Sequence, residues 1–311
     1  MMRNFTQVSY FTLSAYYETE LFTYFYFLIV LALYVAIISA NVLIIVVICM
    51  NRSLHEPMYL FLLSLFANEL YGSTGLFPFL LVQILSDVHT VSYSICLLQV
   101  FCLYSYGGIE LLTLAIMSYD RYLAICYPLQ YNTRMTFNKI VTLTALIWIY
   151  PLFINAVITY GLTGSLQLCG NIINKVYCDN YYIVKLGCSD TTVNNVFGLV
   201  HMFTVIFGLI VLILYTYMRI LKVCFSGSKQ TRQKAFSTCT PHLASLLNFS
   251  CGAFFEIVQG RFNMTGLPNL LRVVLSLYWL TCQPLISPLM YGLKLSKIRT
   301  VCKTLLFGRK M

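Results

Sequence analysis

The sequence predicts an all-α membrane protein, a bundle of seven transmembrane helices followed by a short cytoplasmic eighth helix. Of its 311 residues, 59% are hydrophobic and only 10% are charged, against roughly 25% charged in a soluble domain. Apolar stretches of about 20 residues, the length that crosses a hydrocarbon core, recur along the whole chain. Water therefore cannot be the solvent for most of this protein.

Seven apolar segments are predicted to cross the membrane, separated by polar, Pro-bearing or Gly-bearing breaks. They run over residues 22–50, 57–85, 93–126, 138–161, 194–225, 232–259 and 268–292. Because all breaks except one are short, the segments must pack as one bundle. We predict a single domain over residues 1–311, with an extracellular N-terminus (1–21), a long extracellular loop (162–193) and a cytoplasmic tail (293–311).

The distribution of cationic residues predicts the orientation of the bundle. One set of alternate loops, with the tail, holds 15 of the 20 lysines and arginines, and the other side holds 5. Cytoplasmic loops are enriched in Lys and Arg, so we predict a multi-pass plasma-membrane protein with an extracellular N-terminus, surrounded by membrane lipid. The net charge of +10 is split among short loops, which argues against a nucleic-acid partner. No signal peptide is evident, so the first helix is expected to direct its own insertion.

Cysteines and glycosylation sequons offer a check on this orientation. Four of the 12 cysteines fall in the segments predicted to be outside, where disulfides can form, and four cysteines allow three pairings: these are Cys96, Cys169, Cys178 and Cys188. Asn4 begins an outward sequon and is the predicted glycosylation site, and Asn263 begins a second one in the last outer loop.

Two carboxylates, Glu69 and Glu110, fall deep inside the predicted membrane region. A charge at that depth is expensive and marks a functional candidate. No Lys or Arg lies at matching depth, so the pair is expected to share a cation such as sodium, to hold a proton, or to be held by the hydroxyls of Ser64, Ser73 and Ser118. A protonated structural pair and a sodium or proton switch both remain open. No other cofactor is predicted.

Asp120 and Arg121 stand at the cytoplasmic end of the third helix, within the run SYDRYLAICYPLQY. An acid beside an arginine at this edge can form an ion pair with it, which keeps the guanidinium from binding a partner. When the pair breaks, the guanidinium is released toward that partner. An ordinary interfacial anchor is the alternative, and the surrounding residues argue against it.

Four motifs in order give the chain its resemblance to a known family. They are LHEPMYLFL from Leu54, SYDRYLAICYPLQY from Ser118, KAFSTCTPHL from Lys234 and PLISPLMYGLK from Pro284. With these motifs the whole chain resembles the olfactory receptors, within the rhodopsin-like class of G-protein-coupled receptors. The segments NELYGSTGLFPFLL, LCGNII and KVYCDN are similar to those of the fish branch of this family.

The resemblance implies an odorant receptor rather than an enzyme, with a small odorant as ligand and a heterotrimeric stimulatory, olfactory-type G protein as partner. It also implies one disulfide from Cys96 to Cys178 and a second from Cys169 to Cys188, which would pin the long loop over the mouth of the bundle. The residues that it assigns to G-protein coupling are Asp120, Arg121, Tyr122, Tyr217, Lys234, His242 and Tyr291. On activation the sixth helix would swing outward, so that Arg121 could meet the G protein.

Three positions depart from the pattern. Glu69 stands where the wider class has Asp, Ser287 stands where the seventh-helix motif has Asn, and Ser250 stands where many odorant receptors have Tyr. An inherited sodium site and the trigger in the sixth helix are therefore both in doubt.

A ligand pocket is expected between the outer halves of the third, fifth, sixth and seventh helices, under the long loop. The matching residues are Leu103, Tyr104, Gly107, Gly108, His201, Met202, Val205, Ala253, Phe254, Ile257, Ser276 and Leu280. Several of them are four residues apart and so share a helix face. The pocket should be mainly apolar, with His201 and Tyr104 forming directional hydrogen bonds and with room for a ligand at Gly107 and Gly108.

The ligand itself is not fixed by the sequence. Arg261 lies four residues past Ile257 and could bind an acidic group from the rim, with Glu256 as a competitor. Leu103 stands where amine receptors carry Asp, and Thr281 where visual pigments carry the retinal lysine, which argues against a cationic amine and against light sensing. Which odorant binds, whether it is apolar or acidic, the expressing tissue and the oligomeric state are left open.

Two other classes of membrane protein fit the sequence less well. A transporter or channel would be expected to show inverted repeats and a polar path, and no internal repeat is evident. An intramembrane enzyme would need a catalytic pair or metal cluster at depth, and no His lies near Glu69 or Glu110 in the sequence.

Overall fold

Seven long helices, α1 to α7, form the bundle, which confirms the predicted fold class. The computed structural model describes residues 8–16, 22–226, 229–261, 268–295 and 297–301, without the side chains of 202, 229–232, 234–238, 257 and 258. The helices are Thr23–Met50 (α1), Pro57–Ile84 (α2), Tyr93–Cys126 (α3), Phe137–Ala156 (α4), Thr192–Ser226 (α5), Lys229–Arg261 (α6) and Asn269–Lys294 (α7). α4 continues as a π-helical segment, Val157–Thr163. All seven are long and apolar enough to cross a membrane, in α6 over Cys239–Arg261.

Local signals in the sequence set several helix ends. The hydroxyl of Ser92 accepts a hydrogen bond from the backbone N–H of Ile95 at the start of α3, and that of Thr136 accepts one from Lys139 at the start of α4. Each satisfies a donor that the first turn of a helix leaves free. Pro57 occupies the first position of α2, where its missing N–H costs nothing.

α3 is the central helix, buried along most of its length and packed against α2, α4 and α5. Gly72 on α2 permits the close approach to α3, because a Cβ at that position would overlap the ring of Tyr106. α1 and α7 are joined by Asn41, whose Nδ2 donates to the backbone oxygens of Ile37 and Pro284, each at 2.9 Å. α5 leaves most of its apolar side chains on the outside of the bundle, as a helix in contact with lipid would.

A small sheet closes one end of the bundle. Its strands are β1 (Tyr10–Leu13), β2 (Thr90–Ser92) and β3 (Ile172–Ile173), in the order β2-β1-β3. β1 pairs antiparallel with β2 and parallel with β3, so that the segment before α1 lies between two loops. We call this end of the bundle the disulfide face.

Both disulfides named by the resemblance are present on that face. Cys96 of α3 bonds to Cys178, with their Cα atoms 5.4 Å apart, and Cys169 bonds to Cys188, with theirs 5.1 Å apart. The first ties the long loop to α3, and the second closes a smaller ring within the loop. The sequons at Asn4 and Asn263 lie outside the described residues.

At the opposite end, which we call the Arg121 face, residues 297–301 are helical and begin the predicted eighth helix. Ile298 is fully buried there, and Lys297 Nζ lies 2.7 Å from Glu56 Oε1, before α2. Residues 302–311 lie outside the described part of the chain.

Candidate functional site

The predicted ligand pocket is only partly assembled by the structure. Leu103 on α3 and Leu280 on α7 are both 1% exposed and belong to one apolar cluster beneath the disulfide face. Gly107 faces α7 and α6, because a Cβ there would lie 3.3 Å from the ring of Trp279 and 4.0 Å from that of Phe249. Tyr104 Oη donates to Asp179 Oδ2 at 3.1 Å, which joins α3 to the long loop.

Three of the predicted pocket residues have other neighbours. Phe254 is 62% exposed on the outside of α6, so it does not face the interior. Gly108 packs against α4, since a Cβ there would lie 2.9 Å from Pro151 Cβ. The His201 ring hydrogen-bonds the hydroxyl of Tyr150 on α4 at 3.1 Å instead of pointing to a ligand. Val205 and Ala253 are half-buried, and the side chains of Met202 and Ile257 lie outside the described residues.

A buried ion pair joins the long loop to α6 and α7. Lys175 Nζ, on a side chain only 5% exposed, lies 2.7 Å from Glu256 Oε1 and donates to Ser276 Oγ at 2.7 Å and to Gln259 Oε1 at 3.3 Å. Tyr177 Oη donates to the same Glu256 oxygen at 2.7 Å. Glu256 was expected to compete for Arg261, and this was wrong: Glu256 pairs with Lys175, and the guanidinium of Arg261 lies over the Tyr181 ring.

In the interior of the bundle, Glu69 and Glu110 are both fully buried. Tyr106 Oη donates to Glu69 Oε2 at 2.9 Å. Glu110 accepts from Asn68 Nδ2 at 3.1 Å and from Gln283 Nε2 at 2.8 Å. No Lys or Arg among the described residues forms an ion pair with either carboxylate.

The alternative in which Ser64, Ser73 and Ser118 hold these carboxylates was wrong. Ser64 Oγ accepts from Trp148 Nε1, Ser118 Oγ donates to the backbone oxygen of Ala115, and Ser73 Oγ has no hydrogen-bond partner in the described part of the chain. Amide and phenol donors from neighbouring helices take that role. Glu69 Oε1 is likewise without a hydrogen bond among the described residues.

The polar network continues from α3 across α7 to α6. Gln283 Nε2 also donates to Ser245 Oγ at 2.7 Å, and its Oε1 accepts from Asn248 Nδ2 at 2.7 Å. Tyr278 Oη donates to Asn248 Oδ1 at 2.6 Å. Four membrane helices therefore contribute to one network of buried hydrogen bonds, which has few alternative arrangements.

On the Arg121 face, the guanidinium of Arg121 pairs with the carboxylate of Asp120 next to it. The other oxygen of Asp120 accepts from Tyr131 Oη at 2.6 Å. Asp120 is fully buried, whereas Arg121 is 16% exposed. Burial and the nearby Asp120 raise the pKa of the Tyr131 phenol, which therefore stays protonated and remains a donor.

α6 is tied to α3 and α5 at the same level. His242 Nε2 lies 2.8 Å from the backbone oxygen of Leu114, and His242 Nδ1 hydrogen-bonds Tyr217 Oη. A carbonyl oxygen can only accept, so Nε2 must carry a proton, and in the neutral imidazole Nδ1 then accepts from Tyr217. The resemblance named both residues, and the structure brings them together in the core beside α3.

The remaining predicted coupling residues lie around this group. Tyr122 Oη donates to Tyr127 Oη at 3.3 Å. Tyr291 is 2% exposed and packs edge-on against Phe66. The side chain of Lys234 lies outside the described residues.

Sequence reasoning missed several residues that the structure brings to these sites. The predicted sites do not include Asp179, Tyr177 or Trp279, and Lys175 is one of the five cations on the side predicted to be outside. Asp179 does carry a local signal, since it caps the short helix Asn180–Lys185 by accepting from the N–H of Tyr182. The partners of the other three are far away in sequence, so no local pattern could have identified them.

Comparison with known proteins agrees with this architecture. A family model described as olfactory receptor matches residues 30–309. Human olfactory receptor 11A1 is 34% identical over 95% of this chain and 93% of its own length, and mouse olfactory receptor 5P68 is 33% identical over 99% and 97%. The crystal structure of squid rhodopsin matches with a TM-score of 0.71 at 16% identity, over 94% of this chain and 81% of that one. The chain therefore belongs to the olfactory receptor family of seven-helix G-protein-coupled receptors.

Proposed function

We propose that this chain binds a small odorant in the half of the bundle near the disulfide face and activates a heterotrimeric stimulatory G protein of the olfactory type. The observation that carries this proposal is the arrangement at the Arg121 face. Arg121 is held by Asp120 while His242 ties α6 to α3. An outward movement of α6 would break the bonds of His242 and open a path to the guanidinium.

The proposed pocket is smaller than the set of residues that the sequence suggested. It comprises Leu103, Tyr104 and Gly107 on α3, with Ser276 and Leu280 on α7 and Ala253 on α6. Trp279 is added to it, because its ring faces Gly107 and its Nε1 is a buried donor with no partner among the described residues. A ligand that displaced this ring would act directly on the neighbouring Phe249 of α6, whose ring centroid lies 6.4 Å away.

We also propose that the disulfide face is extracellular and the Arg121 face cytoplasmic, in a single domain that spans the plasma membrane. The disulfides support this orientation, because such bonds form in oxidising compartments. The excess of Lys and Arg in the loops and tail of the opposite side supports it independently. The fish branch stays a prediction, and the relatives described above are human and mouse proteins.

The experiment that tests the receptor proposal measures cyclic AMP in cells that display the chain at their surface. One cell line contains an olfactory-type stimulatory α subunit, and a matched line lacks it. Pools of odorants, amino acids and carboxylic acids are applied to both. We expect a response to at least one pool in the first line only. Silence to every pool, or equal responses in the two lines, would contradict the proposal.

For the buried carboxylates, we propose that Glu69 and Glu110 share one cation, either a sodium ion or a proton. Two charged carboxylates without a cationic partner are too costly at this depth. Glu69 Oε1 and Ser73 Oγ both lack hydrogen-bond partners among the described residues, so oxygen ligands are available to a cation. The bound cation would stabilise the closed bundle.

Replacing external sodium with a large organic cation, or changing the pH, is expected to change basal cyclic AMP. Basal signalling should rise when sodium is removed if sodium is the occupant, because a ligand of the closed state shifts the equilibrium toward that state. Glu110→Gln should abolish this dependence. Glu56→Gln, at an exposed carboxylate on the Arg121 face, is the control. Basal signalling that is independent of both sodium and pH would leave the pair a purely structural element.

A further inference from the structure

A cavity opens at the disulfide face, beside the buried Lys175–Glu256 pair. Its volume is about 280 Å³, close to the lower end of the range for small-molecule sites. The long loop, the end of α6 and the start of α7 form its walls. The lining residues that matter most for what it could bind are Lys175, Val176, Lys185, Arg261, Arg272 and Val273. We call this cavity the basic vestibule.

The charge of the basic vestibule is of one sign. Lys175, Lys185, Arg261 and Arg272 all line it, and among the described residues that line it there is no Asp or Glu. Glu256 does not line the cavity and pairs with Lys175 from behind its wall. The other three cations form no ion pair with any described residue. A concave site lined by like charges with low-dielectric walls concentrates counter-ions, here anions.

The cations of the vestibule differ in how far their hydrogen-bonding capacity is used. Lys175 Nζ has three acceptors within hydrogen-bond distance, which matches its three protons. Lys185 and Arg261 both lie against the ring of Tyr181, at 4.5 and 4.4 Å from its centroid. Their charged groups remain free to contact an anion at the rim.

Arg272 is the cation with a hydrogen-bond donor that has no partner among the described residues. Its side chain is half-buried, and one terminal nitrogen donates to Asn269 Oδ1. Its Nε, however, is buried and has no hydrogen-bond partner among the described residues. A buried donor left unpaired is costly, and a guanidinium edge matches the two oxygens of a carboxylate. Gln259 Nε2 donates to the backbone oxygen of Arg272 at 2.8 Å and holds this residue in place.

The vestibule also carries apolar surface. Ala15, Val176 and Val273 line the same cavity as the four cations. Burial, with a contribution from Asp179, raises the pKa of the lining Tyr182 to about 12, so its hydroxyl is protonated at every physiological pH. An inorganic anion would leave the apolar surface uncovered, whereas a short organic acid would cover it.

We propose that the basic vestibule binds a small organic anion through Arg272, with the carboxylate or sulfonate group accepting from the guanidinium and a short apolar tail lying against Val176 and Val273. This inference rests on the proposed function in one respect only, namely that such water-soluble acids are the odorants that the receptor detects. The binding itself requires no G protein and can be measured separately.

The test uses the purified full chain in lipid nanodiscs and follows thermal unfolding. Short-chain carboxylates, the alkylsulfonates of the same chain length and the matching neutral primary amides are titrated separately, with sodium sulfate as an inorganic anion. We expect the two acid series to raise the unfolding temperature in a saturable manner, and the amides and sulfate to have no such effect. Stabilisation by amides or sulfate as strong as by the acids, or no stabilisation at all, would overturn the proposal.

Variants localise the effect. Arg272→Gln is expected to weaken acid binding by about 10- to 100-fold, the usual loss for a hydrogen bond to a charged group. Arg52→Gln, which removes an exposed arginine on the Arg121 face, should bind as the wild type does. If Arg272→Gln does not fold, the double variant Lys185→Gln with Arg261→Gln should still weaken binding by about 2- to 10-fold. Unchanged binding in whichever of these variants folds would place the anion elsewhere and refute the vestibule.

The two proposals fail in different ways. Stabilisation by acids without any cyclic AMP response would support the vestibule and count against the receptor proposal. A cyclic AMP response to neutral odorants, with no stabilisation by acids, would support the receptor proposal and refute the vestibule.

Discussion

Replacing Arg121 with Ala is expected to abolish both basal and odorant-stimulated cyclic AMP while the protein still reaches the cell surface. Arg121 is partly exposed at the Arg121 face, and its only ion-pair partner among the described residues is Asp120. Removing the guanidinium would leave no cation at this position to meet the G protein. Cyclic AMP and surface display should be measured in the same cells, so that a loss of signalling is not confused with a loss of protein.

The matched variant Asp120→Asn should have the opposite effect. It keeps the shape of the side chain but removes the charge that holds Arg121, and basal cyclic AMP should rise. If the Asp120–Arg121 pair stabilises the closed state by about 1.4 kcal/mol, its loss should increase the active fraction of the receptor about tenfold. Normal signalling by Arg121→Ala at normal surface levels would show that the G protein does not depend on this residue.

The second large effect is expected from the disulfide between α3 and the long loop. Cys96→Ser should strongly reduce the amount of protein at the cell surface, because the Cys96–Cys178 bond is fully buried and closes a ring between residues 82 apart. The chain-entropy relation gives about 4 to 5 kcal/mol for a ring of that size, which is an upper bound here, since the membrane already restricts the open chain. Surface display is measured by flow cytometry with an N-terminal epitope tag.

Two comparisons make this test specific. Cys169→Ser breaks a ring between residues only 19 apart, for which the same relation gives about 3 kcal/mol, so its effect should be smaller. Cys251→Ser changes an exposed free cysteine of α6 and should have little effect. Equal display of Cys96→Ser and Cys251→Ser would show that the α3 disulfide is dispensable for folding.

The membrane helices could be located from sequence with good accuracy. The segment predicted at 57–85 is Pro57–Ile84, and the one predicted at 138–161 is Phe137–Thr163. Long apolar runs are a strong signal, because lipid leaves helices few alternatives. The same uniform hydrophobicity conceals which face of a helix points inward. Phe254 and Gly108 were assigned to the pocket by their matching positions along the helices, and the structure directs Phe254 to the outside and Gly108 toward α4.

Contacts between distant segments account for most of what the sequence did not predict. The Lys175–Glu256 pair joins residues 81 apart, and Gln283 reaches Glu110 from 173 residues away. The disulfide pairing was available only through the family resemblance, since four cysteines allow three pairings. The basic vestibule depends on side chains from the loop, α6 and α7, and only Arg261 among them was suspected of binding an acid.

The strands of the sheet on the disulfide face can pair only in a fixed order while the chain is being synthesised. β1 lies between β2 and β3, and its partner Ile172–Ile173 follows about 160 residues later, after four membrane helices. During synthesis β1 can pair with β2 as soon as α1 and α2 are in place, but its edge toward β3 must stay open until α4 has also been inserted. The backbone of Thr12 and Leu13 along that edge is accessible in a partly inserted chain and is paired with β3 in the finished receptor, so a probe that binds this edge would distinguish immature from mature molecules.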